Sequence, residues 1–137
     1  RQQMPALGGR EKVVFMGHGA SHHAFSAYAC LDHMMTVQGF PARVGAVESY
    51  PEVDILIDAM KAERIAAVHL MPLMLVAGDH AINDMASDDE DSWKTQFSKA
   101  GIPATPWLSG LGENPAIRAM FVEHLQRALD AGQERAA

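Results

Sequence analysis

The sequence predicts an α/β domain, with four parallel strands in one sheet and helices on both faces. Three observations carry this. Short apolar runs alternate along the chain with longer stretches whose apolar residues recur every three or four positions. Their order is strand, helix, strand, helix throughout, and right-handed crossovers turn that order into a parallel sheet. Finally, a polar residue able to bind a metal stands at or just past the end of each of three runs: His18, Glu48 and His80. Ligands of an open parallel sheet bind at that carboxyl edge.

The first strand is read at 12–17, through Val13-Val14-Phe15-Met16. The loop Gly17-His18-Gly19-Ala20-Ser21 follows, then a helix to about residue 38, with Ala24, Tyr28, Leu31 and Met35 at helical spacing. Gly39 and Pro41 end it. The second strand spans 43–47. Pro51 suits a first helical position, and Val53, Leu56, Ile57 and Met60 give the second helix its apolar stripe. The third strand covers 65 to about 71, where Pro72 bends or ends it. Residues 78–101 hold one or two helices, with Trp93 and Phe97 four positions apart. The fourth strand is 104–108. Asn114-Pro115 opens a last helix with the stripe Ile117, Phe121, Leu125 and Ala128. On this reading residues 1–10, with Pro5, Gly8 and Gly9, are a linker from a longer polypeptide, 11–131 form the domain, and 132–137 are a frayed tail.

A chain of 137 residues fits one domain. A net charge of −6 argues against nucleic acid as partner, which asks for a basic face. No apolar run is long enough to span a bilayer. The single cysteine, Cys30, leaves neither an internal disulfide nor a cysteine-based zinc cluster. The expected compartment is the cytoplasm, with the periplasm as alternative because any leader would lie outside this chain.

Gly17-His18-Gly19 is not a dinucleotide fingerprint, because the third glycine would fall at His22, and no Gly-Lys-Ser/Thr loop exists. No nucleotide cofactor is therefore expected. The two glycines let the backbone turn sharply and present His18 to a cleft; the plain alternative is an exposed turn histidine. His22 and His23 are read as exposed or capping residues. A carboxylate at Glu48 must be paired, solvated or metal-bound. Asp79 is a candidate to orient an imidazole. His69 and His124 are read as satisfied core or boundary residues, His33 as exposed, and Cys30 and the nine methionines as apolar filler. The acidic run Asp88-Asp89-Glu90-Asp91 is read as a solvated face. The loop Ser109-Gly110-Leu111-Gly112 is either an anion-holding helix entry or a plain turn. Two imidazoles and one carboxylate at a strand edge form a site for a divalent first-row metal.

Several stretches have a familiar form: residues 13–19, Val47-Glu48-Ser49-Tyr50-Pro51, Gly110-Leu111-Gly112-Glu113-Asn114-Pro115 and, above all, residues 71–85 with Ala77-Gly78-Asp79-His80. Through them the chain resembles the anaerobic cobalt chelatases that act on sirohydrochlorin, within the class II chelatases. The resemblance implies a chelatase-like, flavodoxin-like α/β fold. It implies insertion of divalent cobalt, or iron, into sirohydrochlorin in cobalamin or sirohaem biosynthesis, the metal being a substrate. It also implies that His18, Glu48 and His80 bind the incoming metal, that His18 or His80 takes protons from the macrocycle, and that Gly19, Ala20, Gly110, Leu111 and Gly112 face the tetrapyrrole. Two-domain members have two similar halves, and this chain resembles the second, so an N-terminal half is an implied partner. A homo-oligomer is expected too. The chemistry agrees: a metal to be handed on needs few, exchangeable ligands, and an imidazole titrates where pyrrole protons must be taken up. A metal-delivery protein and a metal-dependent hydrolase are the competing readings.

Overall fold

The computed structural model describes residues 6–134. Four parallel strands, β1 (Glu11–Gly17), β2 (Ala42–Ala46), β3 (Ala67–Pro72) and β4 (Ala104–Pro106), form one sheet in the order β2-β1-β3-β4. The helices are α1 (Ser26–Val37), α2 (Val53–Ala62), α3 (Trp93–Lys99) and α4 (Pro115–Glu134). The expected α/β sheet is thus present, with strand ends within three residues of their predicted positions. The first five linker residues and residues 135–137 of the tail lie outside the described residues. The last helix runs on past Gly132 to Glu134.

The core sits on one face of the sheet. Val14, Met16, Val68 and Leu70 point there, against Leu56, Ile57 and Met60 of α2 and Trp93 and Phe97 of α3. These are the predicted stripes of both helices. Gly45 is required at their meeting point, since a Cβ there would lie 2.6 Å from a Leu56 methyl and 2.9 Å from the Pro51 carbonyl oxygen. The segment between β3 and α3 holds only one short turn of helix, 81–85, with i→i+5 bonding. Ser92 then caps α3, its Oγ accepting from the Thr95 amide at 3.2 Å.

The opposite face is covered more thinly. α1 lies over β2 and the near side of β1, with Tyr28 against Gly17. Its anchor is polar: Asp32, buried, accepts two hydrogen bonds from the Arg43 guanidinium and one from the Val44 amide, each at 2.8 Å. Helical spacing alone gave no sign of this pin. Asp32 holds the Arg43 guanidinium above its ordinary pKa. Cys30 is exposed, not filler, because it lies on the solvent side of α1. His124 is likewise exposed, because α4 packs no face against the core. Met16, Met60 and Met85 fill the core, whereas Met34 and Met120 are exposed.

Candidate metal centre

The three strand-end residues converge. One ligand atom from each of His18, Glu48 and His80 lies within 4.8 Å of the others. Two backbone bonds extend the pairing of β1 and β2 past their ends: Val47 donates to the Gly17 carbonyl at 2.9 Å, and Glu48 to the His18 carbonyl at 3.0 Å. Glu48 is thereby fixed beside His18. Gly19 turns the chain with φ of +99°, a conformation open to glycine, and a Cβ there would meet the Ser49 hydroxyl at 2.8 Å. That hydroxyl accepts from the Ala20 amide at 3.3 Å, closing the loop onto Glu48-Ser49.

His80 arrives from β3 on the first turn of helix after Gly78. Its Nδ1 lies 2.5 Å from an Asp84 carboxylate oxygen, four residues on. A carboxylate can only accept from it, so Nδ1 carries the proton and the Nε2 lone pair is left toward Glu48, 3.8 Å away. His18 Nδ1 is 3.5 Å from the other Glu48 oxygen. The two imidazoles meet edge to face, with centroids 4.6 Å apart. Ligands bound at about 2.1 Å to one ion in a tetrahedral array lie roughly 3.4 Å from each other, so these separations leave room for one first-row ion among the three side chains. His18 and Glu48 are about half exposed and His80 less so, which suits an ion that must enter and leave.

The orienting carboxylate is Asp84, not Asp79. Asp79 instead accepts from the Asn83 side chain at 2.7 Å. Sequence reasoning missed Asp84, although its i+4 spacing from His80 would have shown it had 81–85 been read as helical. Glu48 and Asp84 also line a cavity of about 410 Å³ together with Glu52, Asp91 and Trp93. Asp88 and Glu90 of the acidic run lie toward solvent, paired with Lys94 and Lys99. Lys94 holds the Asp88 carboxyl below its ordinary pKa.

The loop 109–112 is a turn tied inward, not an anion nest. Three successive amides are engaged: Gly110 donates to the Glu113 carboxylate, Leu111 to the Met74 carbonyl and Gly112 to the Leu75 carbonyl, at 2.8–2.9 Å. Gly110 and Leu111 instead line a second cavity, of about 470 Å³, with Phe15, Met71 and Trp107. Gly19 and Ala20 adjoin the centre through the bonds given above. His22 and His23 are exposed and stay out of the cluster, His22 capping the turn that follows through the Ala24 amide. His69 is satisfied by Trp107 Nε1, which donates to its Nδ1 at 3.1 Å, and lies 3.5 Å from Glu11.

Fold and centre together describe an α/β protein whose sheet carries, at its carboxyl edge, a group of side chains able to hold a metal ion. The family model of cobalt chelatase (CbiK) matches residues 1–130. The chain belongs to that family. It is 80% identical, over all 137 residues, to the sirohydrochlorin cobaltochelatase of Salmonella typhimurium (strain LT2), and spans 52% of that protein. It is 33% identical over 121 residues to the sirohydrochlorin cobaltochelatase CbiKC of Nitratidesulfovibrio vulgaris (strain Hildenborough), with 88% of this chain and 43% of that protein aligned. The chain thus spans about half the length of the curated relatives it matches. A crystal structure of a CbiX protein from Marinobacter aquaeolei VT8, assigned by name to cobalamin (vitamin B12) biosynthesis, superimposes with a TM-score of 0.71 over 90% of this chain and 98% of the other. At 15% identity, that likeness concerns the fold alone. No helix among the described residues is long and apolar enough to cross a membrane.

Proposed function

We propose that this chain carries the metal-inserting centre of a sirohydrochlorin cobaltochelatase, which places divalent cobalt in sirohydrochlorin. The observation that carries the proposal is the convergence of His18, Glu48 and His80 at the exposed edge of the sheet, in a chain so close to a protein of that name. Divalent iron is a second cargo that imidazole and carboxylate accept, since ligand type alone does not separate the two metals.

Metal insertion exchanges one M²⁺ for the protons on two pyrrole nitrogens. The protein must hold the cation loosely, and it must take up protons. Two neutral imidazoles and one carboxylate leave open coordination positions through which the macrocycle nitrogens can replace them one by one. Asp84 stabilises positive charge on the His80 ring, whether that charge comes from a bound cation or from a proton. His18 is held by longer contacts, its Nδ1 lying 3.4 Å from the Gly19 carbonyl oxygen and 3.5 Å from Glu48, and it is half exposed, so it can swing as the ion passes. Tyr50 and Ile82, two residues from Glu48 and His80 respectively, are large apolar groups left exposed beside the centre. They offer a surface to the flat macrocycle.

The test has two stages. Cobalt titrated into the chain should produce the visible absorption of imidazole-bound Co²⁺, and His18→Ala, Glu48→Ala and His80→Ala should each weaken it. Sirohydrochlorin is then added, and its absorbance change reports insertion. A chain that binds cobalt at these residues yet never metallates the macrocycle, even when supplied with the rest of the longer polypeptide, would be a metal-delivery protein. Cobalt bound only at His22, His23 or the acidic run would end the proposal.

A further inference from the structure

The side chains of the centre are not held alike. His80 stands on a turn whose Ala81 and Met85 are fully buried in the core, and an Asp84 oxygen lies 2.5 Å from its Nδ1. His18 is held less closely. Its Nδ1 contacts, at 3.4 Å to the Gly19 carbonyl and 3.5 Å to Glu48, are too long to fix a ring. The place of His18 is therefore set by the loop that carries it.

That loop is laced to the end of β2. The first two rungs are backbone bonds, from Val47 to the Gly17 carbonyl at 2.9 Å and from Glu48 to the His18 carbonyl at 3.0 Å. The ladder cannot continue in this way, because Gly19 turns the chain aside with φ of +99°. Ser49 supplies the next rung from its side chain, its Oγ accepting from the Ala20 amide at 3.3 Å. The approach is close: a Cβ at Gly19 would lie 2.8 Å from Ser49 Oγ and 3.0 Å from the Ser49 amide nitrogen. His18 thus has a rung on either side of its own. Without the one from Ser49 it becomes the last rung, and the ends of such ladders fray. Glu48 would keep its place on the continuation of β2, so the spacing of His18 from Glu48 is what would loosen.

We propose that Ser49 is a positioning residue of the metal centre. Its hydroxyl clamps the His18 loop against the strand end that carries Glu48, and so holds the two side chains at the separation one divalent ion needs. That role rests on the reading of His18, Glu48 and His80 as the holders of the ion. Ser49 does not touch the ion. A loop already ordered has less freedom to lose on binding, so the clamp raises affinity. Its effect is bounded by the net worth of one neutral hydrogen bond, about tenfold in affinity.

The test is cobalt affinity by calorimetry on the 137-residue chain, with a thermal melt of each variant. Ser49→Ala should bind cobalt about 3–10-fold more weakly than the parent. Ser49→Thr and Ser49→Val place the same shape at this position, and only the first keeps a hydroxyl, so Ser49→Thr should bind more tightly than Ser49→Val by a similar factor. The substitution is then repeated in chains that lack one imidazole. Because Ser49 acts through His18, Ser49→Ala should change affinity by less than about twofold in a His18→Ala chain. In a His80→Ala chain it should keep its full effect. A change that only weakened the fold would act alike in both. Equal affinities for Ser49→Thr and Ser49→Val would overturn the proposal, since the hydroxyl would then contribute nothing. A full effect of Ser49→Ala without His18 would overturn it equally. If His18→Ala alone left cobalt binding unchanged, the reading of the centre would fall and the clamp with it. If His18→Ala weakens binding and Ser49→Ala does not, the centre stands and only the clamp falls.

Discussion

Glu48 holds the centre together, because each of its two oxygens faces a different imidazole. Replacing His80 by alanine should weaken cobalt binding strongly by calorimetry while the thermal melt stays close to the parent's, since the side chain stands at the edge and leaves no core cavity. Asp84 gives the sharper test. Asp84→Asn keeps a hydrogen-bond acceptor but removes the charge behind the ring, and should weaken cobalt binding about 10–100-fold. Asp84→Ala should cost at least as much, because Nδ1 then loses its partner and the tautomer is no longer fixed. Equal affinity for all three proteins would show that His80 needs no orienting group. The convergence of His18, Glu48 and His80 was legible in the sequence because each stands at or after the end of an apolar run, and parallel strands end at one edge. Asp84 was not legible. The turn 81–85 is too short to display a period, and the neighbouring Asp79 drew attention by adjacency alone. The loop at 110–112 could not be decided from sequence for a related reason: a glycine-rich approach to a helix signals available N–H groups, and only the positions of Met74, Leu75 and Glu113 show that these amides are already taken.

Among the elements, α2 and α3 were readable because both bury a helical stripe against the same core, so pattern and packing agree. α1 was readable in place but not in mechanism. It is held by Asp32 and Arg43, a pair that no apolar period reveals. Asp32→Ala would leave the Arg43 guanidinium without its main partner and an amide of β2 without an acceptor. Breaking a largely buried pair in this way costs about 3–5 kcal/mol, to be measured by urea unfolding, and a loss below 1 kcal/mol would mean that the pair is not holding α1. The start of β1 offers a weaker, pH-dependent contact. Glu11 accepts from the Gly8 amide at 3.0 Å and faces His69, and both hold its carboxyl below its ordinary pKa of 4.5. A depressed carboxyl stabilises the fold fully above its unfolded value and loses that contribution as pH falls through its folded one. The stability difference between the parent and Glu11→Gln should therefore be constant near neutrality and close below about pH 4.5. The group is exposed, so the difference should be small; a gap that widens in acid would contradict the sign.

At the scale of the whole molecule, the sequence carried the sheet but not the place of the last helix. The stripe Ile117, Phe121, Leu125 and Ala128 is as good a stripe as that of α2, and periodicity cannot say whether the surface it meets belongs to the same sheet or to another molecule. Charge is the other property of the whole. The net charge of −6 gathers in part near the centre, where Glu48, Glu52, Asp84 and Asp91 line one cavity. That field attracts a divalent cation and repels a macrocycle bearing carboxylates. Salt should therefore act in opposite senses on the two substrates. Raising ionic strength from about 0.01 M to 0.15 M shortens the screening length from about 30 Å to about 8 Å. The association rate of cobalt should fall over that interval, while that of sirohydrochlorin should rise or hold steady. Stopped-flow absorbance can follow each separately, cobalt by its visible bands and the tetrapyrrole by its own. If both rates fell with salt, the macrocycle would be steered by a cationic surface, and the negative field around Glu48 would not be what it meets on approach.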